Sequence, residues 1–523
     1  MKRRLLSLFL ALAAAALFAV PAAAQPKLNK TSRTLVPGET YALKLSDAEA
    51  SVTWSSSDSK VAAVSKTTGK VTAAANGKAV ITAKSGGKSY KCAVTVQRNR
   101  IKYAKSAIEI GETLSCALLG KNTEKVKWSS ADTKIASVSS KGVVTGKSAG
   151  KTKITASFGT RTRSFTVTVK KAAQISKNLT AAQLAGNIKV GWNLGNTLDA
   201  TGGSGLSSET SWGNPKTTKA NIDALKKAGF NAVRIPVSWH NHVDGGYNID
   251  KAWMARVKEV VGYAAANDMY IILNTHHDNS LFKLSDAGMK ETEKAFKKIW
   301  EQIAGEFKSY GEKLIFEGLN EPRVEGSSME WQGGTAAEHK NLNRLNQLFV
   351  DTVRASGGNN ARRVLMIPTY AASAEAAAMN GLTLPNDPGG KDKIIVSIHA
   401  YTPYNFALNQ NSPLKTWSKD NPGDTRDIDN VLNRAYETFV KKGTPVIIGE
   451  MGALNKDNNT GARSEWAEYY TKQARKKGIA CFWWDNGYMG LTTATSDGFG
   501  ILDRRTGEFK YPEVAKALTR GAK

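Results

Sequence analysis

The sequence predicts a multidomain protein in which a closed (β/α)8 barrel follows two small all-β sandwiches. A segment in the first third of the chain occurs twice, with Trp54 and Trp128 at matching positions. From Gln174 onward, short apolar runs alternate with amphipathic stretches eight times, which is the count for a closed barrel of parallel strands. The length of 523 residues also allows about three domains.

Residues 1–24 differ from the rest of the chain. Three basic residues at 2–4 precede an apolar run over 5–20, and three alanines ending at Ala24 offer a cleavage site. This pattern predicts a signal peptide that is removed on export, so we expect a secreted or cell-surface protein without stable membrane insertion. A membrane-anchored form is the alternative, although the apolar run is short for a membrane span.

The repeat predicts two sandwiches, over 25–98 and 99–171. WSSSDSKVAAVSKTTGKVTAAANGKAVITA (54–83) returns as WSSADTKIASVSSKGVVTGKSAGKTKITA (128–156). Short alternating stretches between Gly, Ser, Asn and Lys turns have the period of half-buried strands. We expect the two tryptophans to anchor the cores of the sandwiches rather than to bind sugar.

Charge is concentrated in the same region. Residues 1–174 contain 30 Lys and Arg against 8 Asp and Glu, whereas residues 175–523 contain 43 against 37. In an exported protein, this basic charge favours contact with an anionic cell-surface or cell-wall polymer, or with an acidic polysaccharide, over contact with nucleic acid. Solubility without any partner is the alternative.

The cysteines exclude a disulfide framework. Cys92, Cys116 and Cys481 can form at most one disulfide. We expect buried thiols, and the sequence leaves open whether Cys92 and Cys116 pair.

The rest of the chain, 172–523, is predicted to form the barrel domain. Its strands are expected in KVGWNLG, FNAVRIPV, MYIILNTHH, LIFEGLNEP, RVLMIPT, IIVSIHAY, PVIIGE and IACFWWDNG. The helices that follow them are expected near 216–228, 250–266, 290–308, 337–356, 371–380, 429–442, 464–477 and 511–519. An open doubly wound sheet is the alternative, but no Gly-rich phosphate loop follows the first strand.

Polar and aromatic side chains gather where these strands end. In strand order they are Asn193 and Asn196, Arg234 and His240, His276 and His277, Asn320 and Glu321, His399 and Tyr401, Glu450, and Trp484. The C-terminal ends of barrel strands form the face on which active sites lie. Two carboxyls facing each other there suit cleavage of a bond between sugars, because one can protonate the leaving oxygen while the other attacks or activates water.

The barrel segments resemble glycoside hydrolase family 5 over 175–523. The matching segments are GWNLGNTLDA, ETSWGNP, RIPVSW, LNTHHD, GLNEP, HAYTPYNF, IGEMGA and FWWDNG. Two of them, GNTLDA and SWGNP, resemble an endoglucanase-rich branch that also acts on xyloglucan, lichenan and mannan. The repeats resemble the bacterial immunoglobulin-like domains of group 2, which implies a spacer or an adhesion role.

The family resemblance implies roles for the residues at the strand ends. Glu321 would be the general acid/base and Glu450 the nucleophile, about 5 to 5.5 Å apart in a retaining mechanism. Arg234 would support the nucleophile as a permanent cation, and Tyr401 would donate its hydroxyl to it. His399 shares a strand face with Tyr401. Asn320 would bind the sugar 2-hydroxyl.

Other residues would bind the sugar or support the site. The expected substrate-binding residues are Asn196, His276, His277, Trp484, Trp212, Trp239 and His240, with Trp483 either extending this surface or filling the core. Glu317 is expected to be a structural acid, although it could tune Glu321. We expect no cofactor and no metal, because His276, His277 and Asp278 are consecutive and point in different directions.

We therefore expect a secreted, monomeric, retaining endo-β-1,4-glucanase acting on β-glucan. Within the enzyme class, the alternative is activity on xyloglucan, mixed-linkage glucan, mannan or xylan. In another class, the chain would be a surface adhesin whose barrel binds glycan without cutting it.

Overall fold

The computed structural model describes residues 25–523 except 49, 98, 120–124, 160, 171–173, 391 and 491–497. The predicted signal peptide, 1–24, lies outside the described residues. Within the described part, no helix combines the length and apolar character needed to cross a membrane. The chain divides into two compact units: one holds residues up to 102 with 116–128 and 155–165, and the other holds 103–115, 129–154 and 166–523.

The first repeat forms short strands around a small apolar core. Its strands are Lys27–Leu28, Ser32–Leu35, Thr40–Ala42, Leu45–Ser46, Thr53–Ser56, Ala62–Val64, Lys70–Ala73, Gly77–Ser85 and Lys88–Val96. Four of them make one sheet and three make another. Trp54 is 5% exposed and packs with Val71 and Ile81, so it is a core residue, as expected.

The second repeat has a similar set of strands. They are Arg100–Lys102, Ala107–Glu109, Thr113–Ser115, Ala117–Leu119, Lys127–Ser130, Ala136–Val138, Val143–Gly146, Gly150–Phe158 and Arg161–Lys170. Trp128 is only half-buried in this copy. All three cysteines of the chain are buried thiols rather than disulfide partners, which answers the question of whether Cys92 and Cys116 pair.

Eight parallel strands close into the predicted barrel. They are β1 Val190–Leu194, β2 Ala232–Ile235, β3 Tyr270–Asn274, β4 Leu314–Glu317, β5 Leu365–Ser373, β6 Ile394–His399, β7 Val446–Met451 and β8 Ala480–Asp485. Closure is direct, since β1 pairs in parallel register with both β2 and β8. The prediction of a (β/α)8 barrel is confirmed.

Helices surround the strands. They are α1 Ala181–Asn187, α2 Lys219–Ala228, α3 Lys251–Ala266, α4 Met289–Phe307, α5 Ala336–Ala355, α6 Ala376–Gly381, α7 Tyr404–Ala407, α8 Pro422–Thr438, α9 Thr460–Lys476 and α10 Pro512–Gly521. Several begin at a side-chain cap. Thr218 and Thr335, for example, each accept a hydrogen bond from the backbone of the first turn of α2 or α5.

The inside of the barrel has an apolar floor. Leu184 of α1 packs with Ile272, Ile315, Ile395 and other inward side chains of the strands. Because side chains on a strand alternate in direction, the residues two positions further along point inward above this floor. Those positions hold the polar residues Asn274, Glu317 and Ser397, so the alternation of the strands builds a polar chamber towards the C-terminal ends.

Candidate active site

The two glutamates meet at the C-terminal ends of the strands. Glu450 lies in β7 and is buried, while Glu321 follows β4 and its side chain is 23% exposed. An oxygen of Glu321 and an oxygen of Glu450 lie within 4.8 Å of each other. Both carboxyls can therefore reach a single sugar linkage.

Arg234 of β2 connects the residues below this pair. It is fully buried, and its Nη1 donates to Oε1 of Glu450 over 2.7 Å. Its Nη2 donates to Asn320 Oδ1 over 2.7 Å, and its Nε donates to Glu317 Oε2 over 2.7 Å. Burial alone would lower the pKa of Arg234, but the carboxylates of Glu317 and Glu450 outweigh burial and raise it. The guanidinium is thus a fixed cation.

Tyr401 contacts the other oxygen of Glu450. Its hydroxyl donates to Oε2 over 2.8 Å. Burial, reinforced by the charge of Glu450, raises the pKa of Tyr401 well above its usual value. The phenol therefore keeps its proton and remains a hydrogen-bond donor.

His399 lies between the two glutamates. Its Nδ1 is 2.8 Å from Oε1 of Glu321 and 3.7 Å from Oε2 of Glu450. Burial alone would lower the pKa of His399, but the charges of both carboxylates and the hydrogen bond to Glu321 raise it. Burial alone would raise the pKa of Glu321, but the hydrogen bond and charge of His399 lower it. Before substrate binds, the shared proton is therefore held on the imidazole side of this hydrogen bond.

His276, two residues beyond the end of β3, faces Glu450 as a neutral imidazole. Burial, with the nearby charges of His277, Arg234 and His399, lowers its pKa well below 6.5. The side-chain amide of Asn274 lies 3.1 Å from Nδ1 of His276. Since that amide donates, Nδ1 accepts and the ring proton sits on Nε2, which is 3.9 Å from Glu450 Oε1.

Aromatic side chains form a wall beside the carboxyls. The ring of Trp484 is half-buried and stacks parallel to that of His276 with the centroids 5.8 Å apart. Trp212 is also half-buried and tilts against His277 at 5.5 Å. A hollow of about 360 Å³ is lined by Trp212, His240 and His277, among other residues. These residues can offer both faces and polar edges to a sugar.

One expected sugar contact, Trp239, lies in the core, and so does Trp483, for which the core was one of two expectations. Trp239 is fully buried and its Nε1 donates to Asn274 O over 3.1 Å, so it presents no surface to a sugar. Trp483 is likewise fully buried, with Nε1 donating to Phe499 O, and it fills the core. The backbone of Asn196 is left-handed (φ 55°) and its N–H donates to Asp199, so the backbone forms a turn, and the sugar contact of its half-buried side chain stays a prediction.

The sequence prediction missed Arg323, which contacts Glu321, and Trp331, which contacts Arg323. Nη1 of Arg323 donates to the carbonyl of Glu321 over 2.9 Å, and the guanidinium stacks on Trp331, which is 57% exposed. Arg323 directly follows the Asn-Glu-Pro motif, and this position in the sequence could have identified it as a neighbour of Glu321. The position of Trp331, in a loop ten residues beyond Glu321, gave no comparable signal.

Metal-ligating side chains approach each other in a different combination from the one considered in the sequence. Asp278 accepts hydrogen bonds from the backbone of Trp239 and His240 and is not among them. Ligand atoms of Asp199, His276 and His277 lie within 4.8 Å of one another, as do those of Glu321, His399 and Glu450. The latter group is the carboxyl site itself.

Comparisons with known proteins agree with this geometry. A model of the family "Cellulase (glycosyl hydrolase family 5)" matches residues 197–490, and a model of "Bacterial Ig-like domain (group 2)" matches 23–96 and 95–169. Endoglucanase A of Ruminococcus albus is 44% identical over 66% of this chain and 94% of its own length. Cellulase/esterase CelE of Acetivibrio thermocellus is 45% identical over 66% of this chain, and the match spans 41% of its own length.

A solved structure matches the barrel region. It is a GH5-4 broad specificity endoglucanase from Ruminococcus champanellensis with bound cellotriose, with 46% sequence identity and a TM-score of 0.63. The match covers 67% of this chain and all of that one.

Proposed function

The chain belongs to glycosyl hydrolase family 5, the cellulases, and from this membership we propose that it is an endo-β-1,4-glucanase that retains anomeric configuration. One observation carries the mechanism: the oxygens of Glu321 and Glu450 lie within 4.8 Å of each other. Retaining enzymes need a short carboxyl separation, because the second carboxylate attacks the sugar directly and leaves no room for a water molecule.

In the first step, Glu321 delivers a proton to the glycosidic oxygen as that oxygen leaves with its electron pair. A carboxylate oxygen of Glu450 forms a bond to the anomeric carbon, giving a covalent glycosyl ester. Arg234 and Tyr401 hold Glu450 with one donor on each oxygen. The carboxylate thus faces the anomeric carbon without rotating away.

In the second step, the ionised Glu321 takes a proton from water as the oxygen of that water attacks the anomeric carbon. The ester bond to Glu450 breaks, and its electron pair returns to the carboxylate. Because the anomeric carbon is attacked twice from opposite faces, its configuration is retained. Asn320, held by Arg234, would bind the 2-hydroxyl, and Trp484 would stack on the ring.

The proton for the first step would come from the pair formed by His399 and Glu321. Substrate covers Glu321 and removes water from it, which favours the neutral carboxyl. We propose that the proton then moves along the 2.8 Å hydrogen bond from His399 to Glu321 as the leaving oxygen approaches. His399 in this way supplies the proton that Glu321 donates to the leaving oxygen.

Reducing-sugar release from carboxymethylcellulose tests the proposal. We expect Glu450→Ala to abolish release, and azide to restore cleavage of an activated aryl cellobioside with formation of the opposite anomer. Full activity of Glu450→Ala would remove Glu450 as the nucleophile. Activity in the wild type also separates the enzyme from a glycan-binding adhesin, which would release no sugar.

The preferred polymer is a separate proposal. We propose that the substrate is cellulose-type β-1,4-glucan. Xyloglucan, mixed-linkage glucan, mannan and xylan are alternatives, because the residues around Glu450 would contact features that these polymers share. Substrate choice would depend on loops 200–212, 278–288, 324–335 and 403–425. The product profile over a panel of these polymers tests it.

We further propose that the chain is exported and that its first sandwich contacts an anionic wall polymer. The four strands of its larger sheet contain no Asp or Glu. Lys78, Lys84 and Lys91 are exposed on this sheet. Thr82 is paired with Lys91 and Thr95 with Lys78, so hydroxyls lie between the charges. An anionic polymer finds donors there without a repelling carboxylate.

Co-sedimentation with polygalacturonate at low and high salt tests this contact. We expect the wild type to bind at low salt and to be released as salt rises, since exposed charges are screened. A variant with the three lysines changed to Gln should bind at least about threefold more weakly; equal binding would remove this sheet as the contact. We also propose domain boundaries at 98/99 and 171/172. We propose that the protein is a monomer, and light scattering can test this oligomeric state.

A further inference from the structure

A third carboxylate, Glu317, lies beneath the two glutamates of the site. It lies in β4 and is fully buried. Its Oε2 accepts from Arg234 Nε over 2.7 Å and from Asn274 Nδ2 over 3.0 Å. Its Oε1 accepts from Ser397 Oγ over 2.7 Å. Strands β2, β3 and β6 therefore all hold this one carboxylate in place.

These contacts fix how Arg234 is presented to the reacting groups. A guanidinium is planar, so anchoring Nε on Glu317 sets the direction of the two remaining nitrogens. Those nitrogens contact Glu450 and Asn320. Movement of the plane would displace both the proposed nucleophile and the proposed 2-hydroxyl ligand at once. Loss of such alignment is costly in rate.

Glu317 also competes with Glu450 for the electrostatic attraction of Arg234. The cation lies between two buried carboxylates, with side-chain exposures of 0% for Glu317 and 6% for Glu450. If the inner carboxylate became neutral, the whole cationic charge would act on Glu450. A carboxylate held more strongly as an anion would be a weaker nucleophile, because its negative charge is lost as the ester bond forms.

We propose that Glu317 is a positioning residue for the glycosidase reaction: it sets the plane of Arg234 and limits the positive charge that acts on Glu450. The proposal rests on the assignment of Glu450 as the nucleophile. It differs from a role in tuning Glu321, because the contacts of Glu317 lead to Glu450 and Asn320.

The test compares Glu317→Gln with the wild type on a soluble cello-oligosaccharide across pH. We expect kcat to fall by about 100-fold, with KM changed by less than about threefold, since the loss is felt in the transition state. We also expect the acidic limb of the kcat/KM profile to move to lower pH, because an undivided cation favours the ionised nucleophile. An unchanged kcat and an unchanged acidic limb would overturn the proposal.

Asp387→Asn is the matched control. Asp387 is buried in a two-point pair with Arg354, outside the carboxyl site. We expect this variant to lose thermal stability while keeping the wild-type kcat and pH profile. If Asp387→Asn moved the acidic limb as far as Glu317→Gln does, the effect would be general destabilisation and the proposal would fail.

Ser397→Ala serves where Glu317→Gln does not fold. It removes one tether of Glu317 without changing any charge, so we expect a smaller fall in kcat, of about tenfold, and an unchanged KM. Full activity of Ser397→Ala would then count against the proposal. Glu450→Ala is assayed in parallel: if it retains activity, the proposed nucleophile is wrong, whereas an inactive Glu450→Ala beside an unaffected Glu317→Gln defeats only this inference.

Discussion

His399 has the contacts of a proton store for Glu321. Its Nδ1 lies closer to Glu321, at 2.8 Å, than to Glu450, at 3.7 Å. The two carboxylates raise its pKa above the ordinary value of 6.5. The pair therefore keeps its proton at a pH where an ordinary carboxyl would have lost it.

Changing His399 to Gln should move the basic limb of the pH profile. In the wild type, activity is lost as pH rises through the raised pKa of His399, because the shared proton then leaves. In His399→Gln, Glu321 must hold the proton alone, so we expect the basic limb to lie about one unit or more lower. Initial rates between pH 4 and 9 measure this.

An unchanged basic limb in His399→Gln would show that Glu321 holds its proton without help. His240→Gln is the matched control, because His240 belongs to the same wall but its Nδ1 lies 3.3 Å from Asp278 and it has no described contact with Glu321. We expect that variant to keep the wild-type profile.

Individual residues show what the sequence can and cannot predict. Strand alternation was sufficient to place Arg234 inside the barrel, because Ala232, two residues earlier on β2, also points inward. The pairing register shifts after Ile398 in β6 and between Ile448 and Met451 in β7, so alternation alone does not place Tyr401 and Glu450. Trp239 lies beyond the end of β2, where the alternation no longer applies, and its side chain turns inward to Asn274. Trp331 belongs to a loop. Its position beside Arg323 could not be predicted, because loops lack the periodic hydrophobic pattern of helices and strands.

Among the elements, β7 depends on a glycine directly before Glu450. A Cβ added to Gly449 would lie 3.1 Å from Nε2 of His399 and 3.1 Å from Oγ of Ser397. The carbonyl of Gly449 accepts from Asn193 Nδ2 over 2.8 Å. The strand is thus held closely against its neighbours at this point, and a methyl group would fit only if His399 or Ser397 moved by a few tenths of an ångström.

Gly449→Ala should lower activity more than stability. The methyl group would press on Nε2 of His399 and so shift the ring that binds Glu321. Small displacements in a site reduce the rate strongly, so we expect kcat to fall by about tenfold or more. Gly186→Ala in α1 is the control, because a Cβ there meets no atom within 4 Å. Wild-type kcat in Gly449→Ala would mean that His399 adjusts freely.

The helix boundaries illustrate where local sequence is ambiguous. The predictions for α3, α4 and α5 differ from the structure by at most one residue at each end, because their apolar faces run the full length of each helix. Helix α8 was expected from 429, yet it begins at Pro422. Its first turn is polar and so lacks periodicity, but Asn421 caps it and Pro422 suits the first helical position.

At the scale of the whole molecule, part of the second repeat belongs to the same compact unit as the barrel. The hydroxyl of Tyr310, which is 6% exposed, donates to the carbonyl of Gly111 over 3.0 Å. Thr113 packs close to Gly262 of α3. These two contacts lie away from the C-terminal ends of the strands, so they support the barrel at a distance from the carboxyls.

Deleting residues 25–171 should therefore lower stability and leave catalysis intact. Removal of the second repeat exposes Tyr310 to water. The free energy of unfolding should fall by about 2 kcal/mol because this side chain is no longer buried, which should lower Tm by roughly 2–5 °C. We expect kcat on a soluble cello-oligosaccharide at 25 °C to stay within about twofold of the wild type.

Deleting only 25–98 keeps the residues that contact Tyr310, so Tm of the barrel should not change. A severe loss of turnover in the longer deletion would show that the repeats complete the active site, and equal Tm values for the two deletions would show that the contact at Tyr310 stabilises nothing.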